Sequence, residues 1–351
     1  MGRASVVYHE GIADYDFGLE YEVRGDRFPR YLKLLEAKGV FAKDVDLIKP
    51  EPADDADLML VHTEEYIRRV ERLAEQKGFL AEDTQLNHSI VKATRLIVGA
   101  ALKAGNLVAE GKVKIAQGVG GGLHHAGRDY GDGFCVFNDV AVCAQSLLER
   151  HGYERVMIFD TDAHAGNGTM DIFYDEPRVL QLSIHQDPKT LFPYTGFIEQ
   201  IGRGSGEGYK VNVPLPAGAD DSCIEVVIDE VFKPLVEQFN PDIIIRIGGA
   251  DPLHDDDYAD LSLTYNGLRM IGSSTAEAVS KLGCGLVDLV CSGYNPGAEE
   301  IGLYAILSGE LGLEFNFKDD KVIVDRPDLV KKTREVVNKL SMILKDYWTI
   351  G

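Results

Sequence analysis

The feature that most restricts the fold is a set of six short, largely apolar runs rich in β-branched residues: SVVY (5–8), KVKIA (112–116), RVMIFD (155–160), RVLQLSI (178–184), DIIIRIG (242–248) and GLVDLVC (285–291). A strand with one wet face alternates apolar and polar residues. Strands that are apolar on both faces need cover on both, which is the pattern of a parallel sheet between helices. Segments of helical period separate the runs. HSIVKATRLIVGAALKAGNLVAEG closes at Gly111, and NDVAVCAQSLLERHG has Asn138 to cap its start and Gly152 to stop it. DSCIEVVIDEVFKPLVEQF and the C-terminal RPDLVKKTREVVNKLSMILKDYW are two more. Strands alternating with helices give an α/β fold with a mostly parallel sheet. No repeat, low-complexity stretch or Pro/Ser-rich linker interrupts the chain, so residues 1–351 are expected to form a single domain.

Several function classes are disfavoured at once. A net charge of −21 repels phosphate backbones, so nucleic acid is not an expected partner. The same charge suits either solubility or the steering of a cationic substrate. The start, MGRASVVYHEG, lacks the apolar core of a secretory signal, and no run is long and apolar enough to span a bilayer. Cys135, Cys143, Cys223, Cys284 and Cys291 are scattered with no CxxC pair. They are expected to be buried, inert thiols in a reducing cytoplasm. GVGGG (118–122) and GRGSGEG (202–208) lack the spacing of phosphate-binding loops and are expected to be flexible surface loops.

Ligands of open α/β sheets gather beyond the carboxyl ends of the strands. There the chain places His124 and His125 in QGVGGGLHHAG, then Asp160, Asp162, His164 and Asn167 in FDTDAHAGNGT (159–169). Asp251 follows DIIIRIGGA, and Tyr294 follows GLVDLVCSG. Asp162 and His164 are two residues apart, so in extended backbone they point the same way, and Asp251 can join them from a neighbouring strand. Two carboxylates and an imidazole leave a coordination position open, as catalytic metals require. Zn2+ is the first choice for such a set, and Fe2+, Mn2+ and Co2+ also suit it. The vicinal histidines supply acid–base function, with Asp160 and Asn167 available to fix their tautomers. The Tyr294 phenol can donate to an oxyanion. Together these groups describe metal-assisted hydrolysis of an amide or ester.

With those motifs in hand, the chain resembles the histone deacetylase superfamily, which includes acetoin-utilisation proteins and acetylpolyamine amidohydrolases. The resemblance runs from RGDRF (24–28) to SGYNPG (292–297) and rests on GGLHHAG, GFCVFNDVA, FDTDAHAGNGT, HQDPKTLFPYTG, NVPLP and GGADPLHDDDYADLSLT. It implies the arginase/deacetylase fold, an eight-stranded mostly parallel sheet between helix layers. It implies a zinc-dependent hydrolase acting on acyl-lysine of a peptide or protein, or on small cationic amides such as acetylpolyamines. A catalytically inactive acyl-binding module and a binuclear arginase-like hydrolase are the competing readings.

By motif, Asp162, His164 and Asp251 resemble the metal ligands. His125 resembles the general base and His124 its electrostatic or proton-donating partner, backed by Asn167 and Asp160 respectively. Tyr294 resembles the carbonyl-polarising tyrosine. Phe134 and Phe192 resemble the walls of an acyl-lysine tunnel, with Gly133 beside them, and Asp83 a rim aspartate that holds substrate amides. Arg27 resembles an arginine near an internal acetate channel. Asp160, Asp162, His164 and Ser183 resemble a structural K+ or Na+ site. There are departures. Tyr21-Glu22 stands where the family often has His-Pro, and Ala165 stands where it often has a second histidine. Asn167 replaces the aspartate of some branches, which makes His125 less basic. Tyr258 replaces a Leu, Met or Glu gatekeeper and is expected to narrow the tunnel mouth.

Overall fold

The computed structural model describes residues 4–18, 23–319 and 326–351; Tyr21 and Glu22 lie outside them. The sheet has eight strands, all parallel: β1 (Ala4–Val7), β2 (Val45–Ile48), β3 (Ile115–Val119), β4 (Val156–Asp160), β5 (Val179–Gln186), β6 (Lys210–Leu215), β7 (Ile243–Ile247) and β8 (Gly285–Val290). Their order across the sheet is β2-β1-β3-β8-β7-β4-β5-β6. Every residue of β3, β4, β5 and β7 is buried, so the continuous apolar runs are covered on both faces.

The helices of the described residues are α1 (Arg27–Ala37), α2 (Asp55–Leu58), α3 (Glu64–Gln76), α4 (His88–Ala109), α5 (Asp139–Arg150), α6 (Asn167–Ile172), α7 (Asp221–Val227), α8 (Lys233–Phe239), α9 (Tyr265–Leu282), α10 (Ala298–Leu311) and α11 (Pro327–Leu344). One group, α4 and α5, packs on the middle strands and on each other; in a second, α10 packs against both α1 and α9, and α9 covers β7 and β8. Asn138 caps α5 as expected, its side chain accepting from Ala141 N at 2.8 Å. The segment 221–239 is not one α-helix. A wider π-helical turn, Ile228–Phe232, separates α7 from α8, just ahead of Pro234. Proline has no N–H for the Glu230 carbonyl, and Gly351 N donates to that carbonyl instead, at 2.9 Å.

The stretch 118–122 is not a flexible surface loop. Gly118 and Val119 finish β3, and the residues from Gly118 to Gly121 are buried. The stretch 202–208 does reach the surface, with Arg203–Ser205 exposed in a turn ahead of β6. All five cysteines are free and buried.

Candidate active site

The order of the strands decides the site. β3, β8, β7 and β4 are consecutive in the sheet, although far apart in sequence. Their carboxyl ends therefore deliver His124 and His125, Tyr294, Asp251, and the 160–167 segment side by side. The β3 exit is held by Asp139, the first residue of α5. Its carboxylate accepts from Gly122 N at 3.0 Å and Leu123 N at 2.8 Å. Burial raises the Asp139 pKa to about 6 against the pull of those donors.

Asp162, His164 and Asp251 are buried, and one ligand atom from each lies within 4.8 Å of the others. His164 Nδ1 is 3.1 Å from Asp162 Oδ1 and 3.2 Å from Asp251 Oδ2. Donor atoms about 2.0–2.2 Å from a tetrahedral zinc stand roughly that far apart, so the set fits a divalent cation. The carboxylates are already aimed. His164 N donates to Asp162 Oδ1 at 2.9 Å, Ala163 N to Asp251 Oδ2 at 3.0 Å, and the Ser292 hydroxyl to Asp251 Oδ1 at 2.7 Å. Burial and the neighbouring Asp162 charge push Asp251 up to about 7. Burial opposes charge on His164, but its two carboxylate partners raise it to about 10. Without a cation, protons neutralise this pocket.

The histidine pair sits beside these residues. His124 Nδ1 is 2.9 Å from Asp160 Oδ2, His125 Nδ1 is 2.7 Å from Asn167 Oδ1, and the two Nε2 atoms are 3.0 Å apart. Both Nδ1–H groups have an acceptor to donate to, so each ring turns its Nε2 toward the site. Burial disfavours charge on His124, yet Asp160 and Asp162 raise it to about 9, whereas burial and the charge on His124 hold His125 well below its usual value. Charge is thus favoured on His124 and disfavoured on His125. Gly166, which precedes Asn167, has φ −75°, so it supplies space rather than a left-handed turn: a Cβ there would meet Asp160 Oδ2 at 2.2 Å.

A cleft of about 360 Å³ leads from the surface to His125, His164 and Tyr294. Phe134 and Phe192 wall it, with Asp83, Tyr194 and Tyr258 also in the lining. Gly133 and Phe134 form the centre of a two-residue hairpin turn with φ +52° and +61°, closed by Cys135 N donating to Asp132 O at 2.8 Å. A Cβ at Gly133 would stand 2.7 Å from His125 Cδ2 and 2.8 Å from Phe192 Cε1. Asp83 is tied to this turn through Thr84, whose hydroxyl donates to Asp83 Oδ1 at 2.6 Å and accepts from Phe134 N at 3.0 Å. The Tyr258 and Tyr294 rings are 4.5 Å apart. Burial, with Asp162 and Asp251 nearby, keeps the Tyr294 phenol protonated. Arg27 is outside the cleft. It is fully buried on the inner side, donating to Gly293 O at 3.1 Å and to Cys291 Sγ at 3.6 Å, and it lines a small inner cavity of about 40 Å³ that His124 and Tyr294 share. Ser183 is on β5, paired in register with Asp160, and its hydroxyl is 2.8 Å from His185 Nδ1.

The family model "Histone deacetylase domain" matches residues 22–307. The chain belongs to the histone deacetylase family. A "Probable deacetylase" of Archaeoglobus fulgidus is 31% identical over 357 aligned positions, covering 98% of both chains. The "Acetoin utilization protein AcuC" of Bacillus subtilis is 36% identical over 275 positions, covering 76% of this chain and 70% of that one. Among solved structures, the HD domain of HDA15 superimposes with a TM-score of 0.87 at 25% identity, over 99% of this chain and 95% of the other. Membership supports a hydrolytic deacetylase with the arginase/deacetylase fold. Among the described residues no helix is long and apolar enough to cross a membrane.

The candidate site also draws on residues that no motif picks out. Asp256 Oδ1 accepts from Tyr258 N at 2.9 Å and Oδ2 from Tyr294 N at 3.0 Å, which ties the two tyrosine loops together. Asp139 and Ser292 are equally silent in sequence, as an acidic helix start and a serine before glycine. Beneath them runs a buried ladder on adjacent strands. Gln117 Nε2 donates to Asp288 Oδ2 at 2.8 Å, Arg246 pairs with Asp288, and Arg246 NH1 donates to Thr161 Oγ1 at 3.2 Å. A charged pair interrupting two apolar runs was the available signal.

Proposed function

We propose that this chain is a zinc-dependent deacylase that hydrolyses the acyl amide of an acyl-lysine side chain in a peptide or protein. A zinc ion held by Asp162, His164 and Asp251 would supply Lewis acidity and lower the pKa of water. The chain's residues supply the rest. His125 Nε2 accepts the proton of the attacking water, because its Nδ1–H is committed to Asn167. His124, with its imidazolium charge anchored by Asp160, stabilises negative charge building at the carbonyl and feeds a proton toward the departing amine. Tyr294 donates its O–H to the carbonyl oxygen as C–O forms and C–N breaks. Phe134 and Phe192 bury the methylene stem, Asp83 receives substrate backbone N–H groups at the rim, and Tyr258 narrows the mouth. Arg27, beside the inner cavity, attracts the released carboxylate.

The observation that carries this reading is the convergence of metal donors, a polarised histidine pair and a phenol at the floor of one aromatic-walled cleft. Acetate release from an acetyl-lysine peptide by the zinc-loaded protein tests it. His125→Ala and Tyr294→Phe should retain zinc and lose nearly all turnover; full turnover in either removes the mechanism.

The acidic run Asp255–Asp257, beside Tyr258, would suit the cationic chain of an acetylpolyamine. Only Asp257 of the three is exposed: Asp256 holds the tyrosine loops and Asp255 accepts from Asn295. That favours the lysine substrate, and faster turnover of an acetylpolyamine would reverse the choice. Asp162, His164 and Asp251 are the one group of metal-capable side chains found among the described residues, which speaks for a mononuclear site. A K+ or Na+ ion held by Asp160, Asp162, His164 and Ser183 belongs to the same proposal, tested by the salt dependence of thermal stability. A cytoplasmic location agrees with five free thiols.

A further inference from the structure

Gln186 is the last residue of β5, and it is buried. Its amide oxygen accepts from Asp260 N at 2.7 Å. Its NH2 group donates to Thr190 Oγ1 at 3.1 Å and to Asp260 Oδ2 at 3.4 Å. The three contacts ask for an acceptor and two donors on one planar group, which only a side-chain amide supplies at this length. A carboxylate here would lack the donors, and an ammonium would lack the acceptor.

The amide joins two segments that are far apart in sequence. Thr190, Leu191, Phe192 and Tyr194 line the cleft beyond β5, and Tyr258 lines it beyond β7. Those strands are not neighbours. β4 lies between them, and the metal donors Asp162 and His164 follow β4. The Gln186 bridge therefore links the two strand exits that flank the metal segment. Its backbone serves that segment separately, Gln186 N donating to Ala163 O at 3.0 Å, and a change of side chain leaves this bond in place. Tyr294 likewise has its own anchor in Asp256.

We infer that Gln186 is a positioning residue that fixes the gap between the Phe192 wall and the Tyr258 mouth, and so sets how tightly an acyl-lysine stem is gripped rather than how fast its amide is broken. The identity of the guest rests on the function proposed above, whereas the bridge stands on its own hydrogen bonds.

Steady-state kinetics of the zinc-loaded protein on an acetyl-lysine peptide, paired with hydrogen exchange, tests this. Gln186→Met keeps the length and drops every side-chain hydrogen bond. It should raise KM about tenfold with kcat within about twofold of the wild type, the pattern of binding lost equally from ground and transition states. Exchange should quicken in 188–194 and 258–261 and stay unchanged in 160–168. Gln186→Glu keeps the acceptor but sets a carboxylate against Asp260. Its excess KM over the wild type should shrink as pH falls from 9 to 6, because a protonated carboxyl regains a donor. A merely space-filling side chain gives no such pH dependence. If Gln186→Met does not fold, Thr190→Val, at an exposed residue, cuts the β5 side of the bridge and should raise KM in the same direction. A kcat loss with KM unchanged, or wild-type exchange in both cleft segments, overturns the inference. A wild type that turns over no acyl-lysine peptide overturns the proposed function instead, and the exchange comparison then decides whether the bridge exists.

Discussion

Asp256→Asn should separate the placement of Tyr294 from the chemistry it performs. The two Asp256 oxygens each accept one backbone N–H, from Tyr258 at 2.9 Å and from Tyr294 at 3.0 Å. An asparagine keeps one acceptor and turns an NH2 toward the other N–H, so in either orientation one tyrosine loop loses its anchor. Leaving a largely buried backbone N–H without its acceptor costs about 1–3 kcal/mol. In a chain of 351 residues that lowers Tm by roughly 1–4 °C. The catalytic effect should be larger, because a displacement near 1 Å at a reacting group costs about 100-fold. Steady-state kinetics on an acetyl-lysine peptide should show kcat falling about 10- to 100-fold with zinc content unchanged. Asp257→Asn, at an exposed neighbour, should leave both quantities alone. An Asp256→Asn enzyme with kcat within twofold of the wild type would show that the tyrosine loop holds its place without this carboxylate.

Three further outcomes follow from the site. Gly133→Ala forces a Cβ to within 2.7 Å of the His125 ring in a left-handed backbone, so kcat/KM should drop at least about tenfold; wild-type kinetics would mean that the turn yields freely. Metal affinity, measured by chelator competition, should rise with pH, since a cation displaces the proton that His164 holds up to about 10 and the one that Asp251 holds up to about 7. That is about tenfold per pH unit for each proton displaced. In the metal-free protein, the stability from these protons is full below the unfolded pKa values of about 4 and 6.5 and fades as pH rises through 7 and 10. An affinity that is flat from pH 6 to 9 would contradict both statements. Ser292→Ala removes the donor to Asp251 Oδ1 and should weaken metal binding about 10- to 100-fold, with unchanged affinity as the refuting result.

Legibility in the sequence followed the physics of each element. The central strands were readable because burial on both faces leaves a continuous apolar signature, as in DIIIRIG. Edge strand β2, VDLI, has four residues and an exposed Leu47, so it offers neither that run nor a clean alternation. α10 escaped because it is buried all round and carries no amphipathic stripe. GVGGG misled because glycines that permit close packing have the same composition as glycines that permit flexibility. Metal donors and histidines stood out as rare, chemically distinctive residues after apolar runs. Asp139, Asp256 and Ser292 act by accepting from or donating to particular atoms, and nothing in residue type or spacing discloses a partner that only the fold supplies.

The strand order has a consequence for how the chain becomes a protein. β2, β1 and β3 pair among themselves, as do β7, β4, β5 and β6, and β8 alone pairs with a member of each set. Until residues 285–290 slide between β3 and β7, the molecule is two half-sheets with no ladder between them. Asp162, His164 and Asp251 all belong to one half, so a metal pocket can form early in synthesis. His124 and His125 belong to the other half, and Tyr294 follows the late strand itself. Without its last strand the chain therefore has the three metal-capable side chains on one half-sheet and the histidine pair on the other.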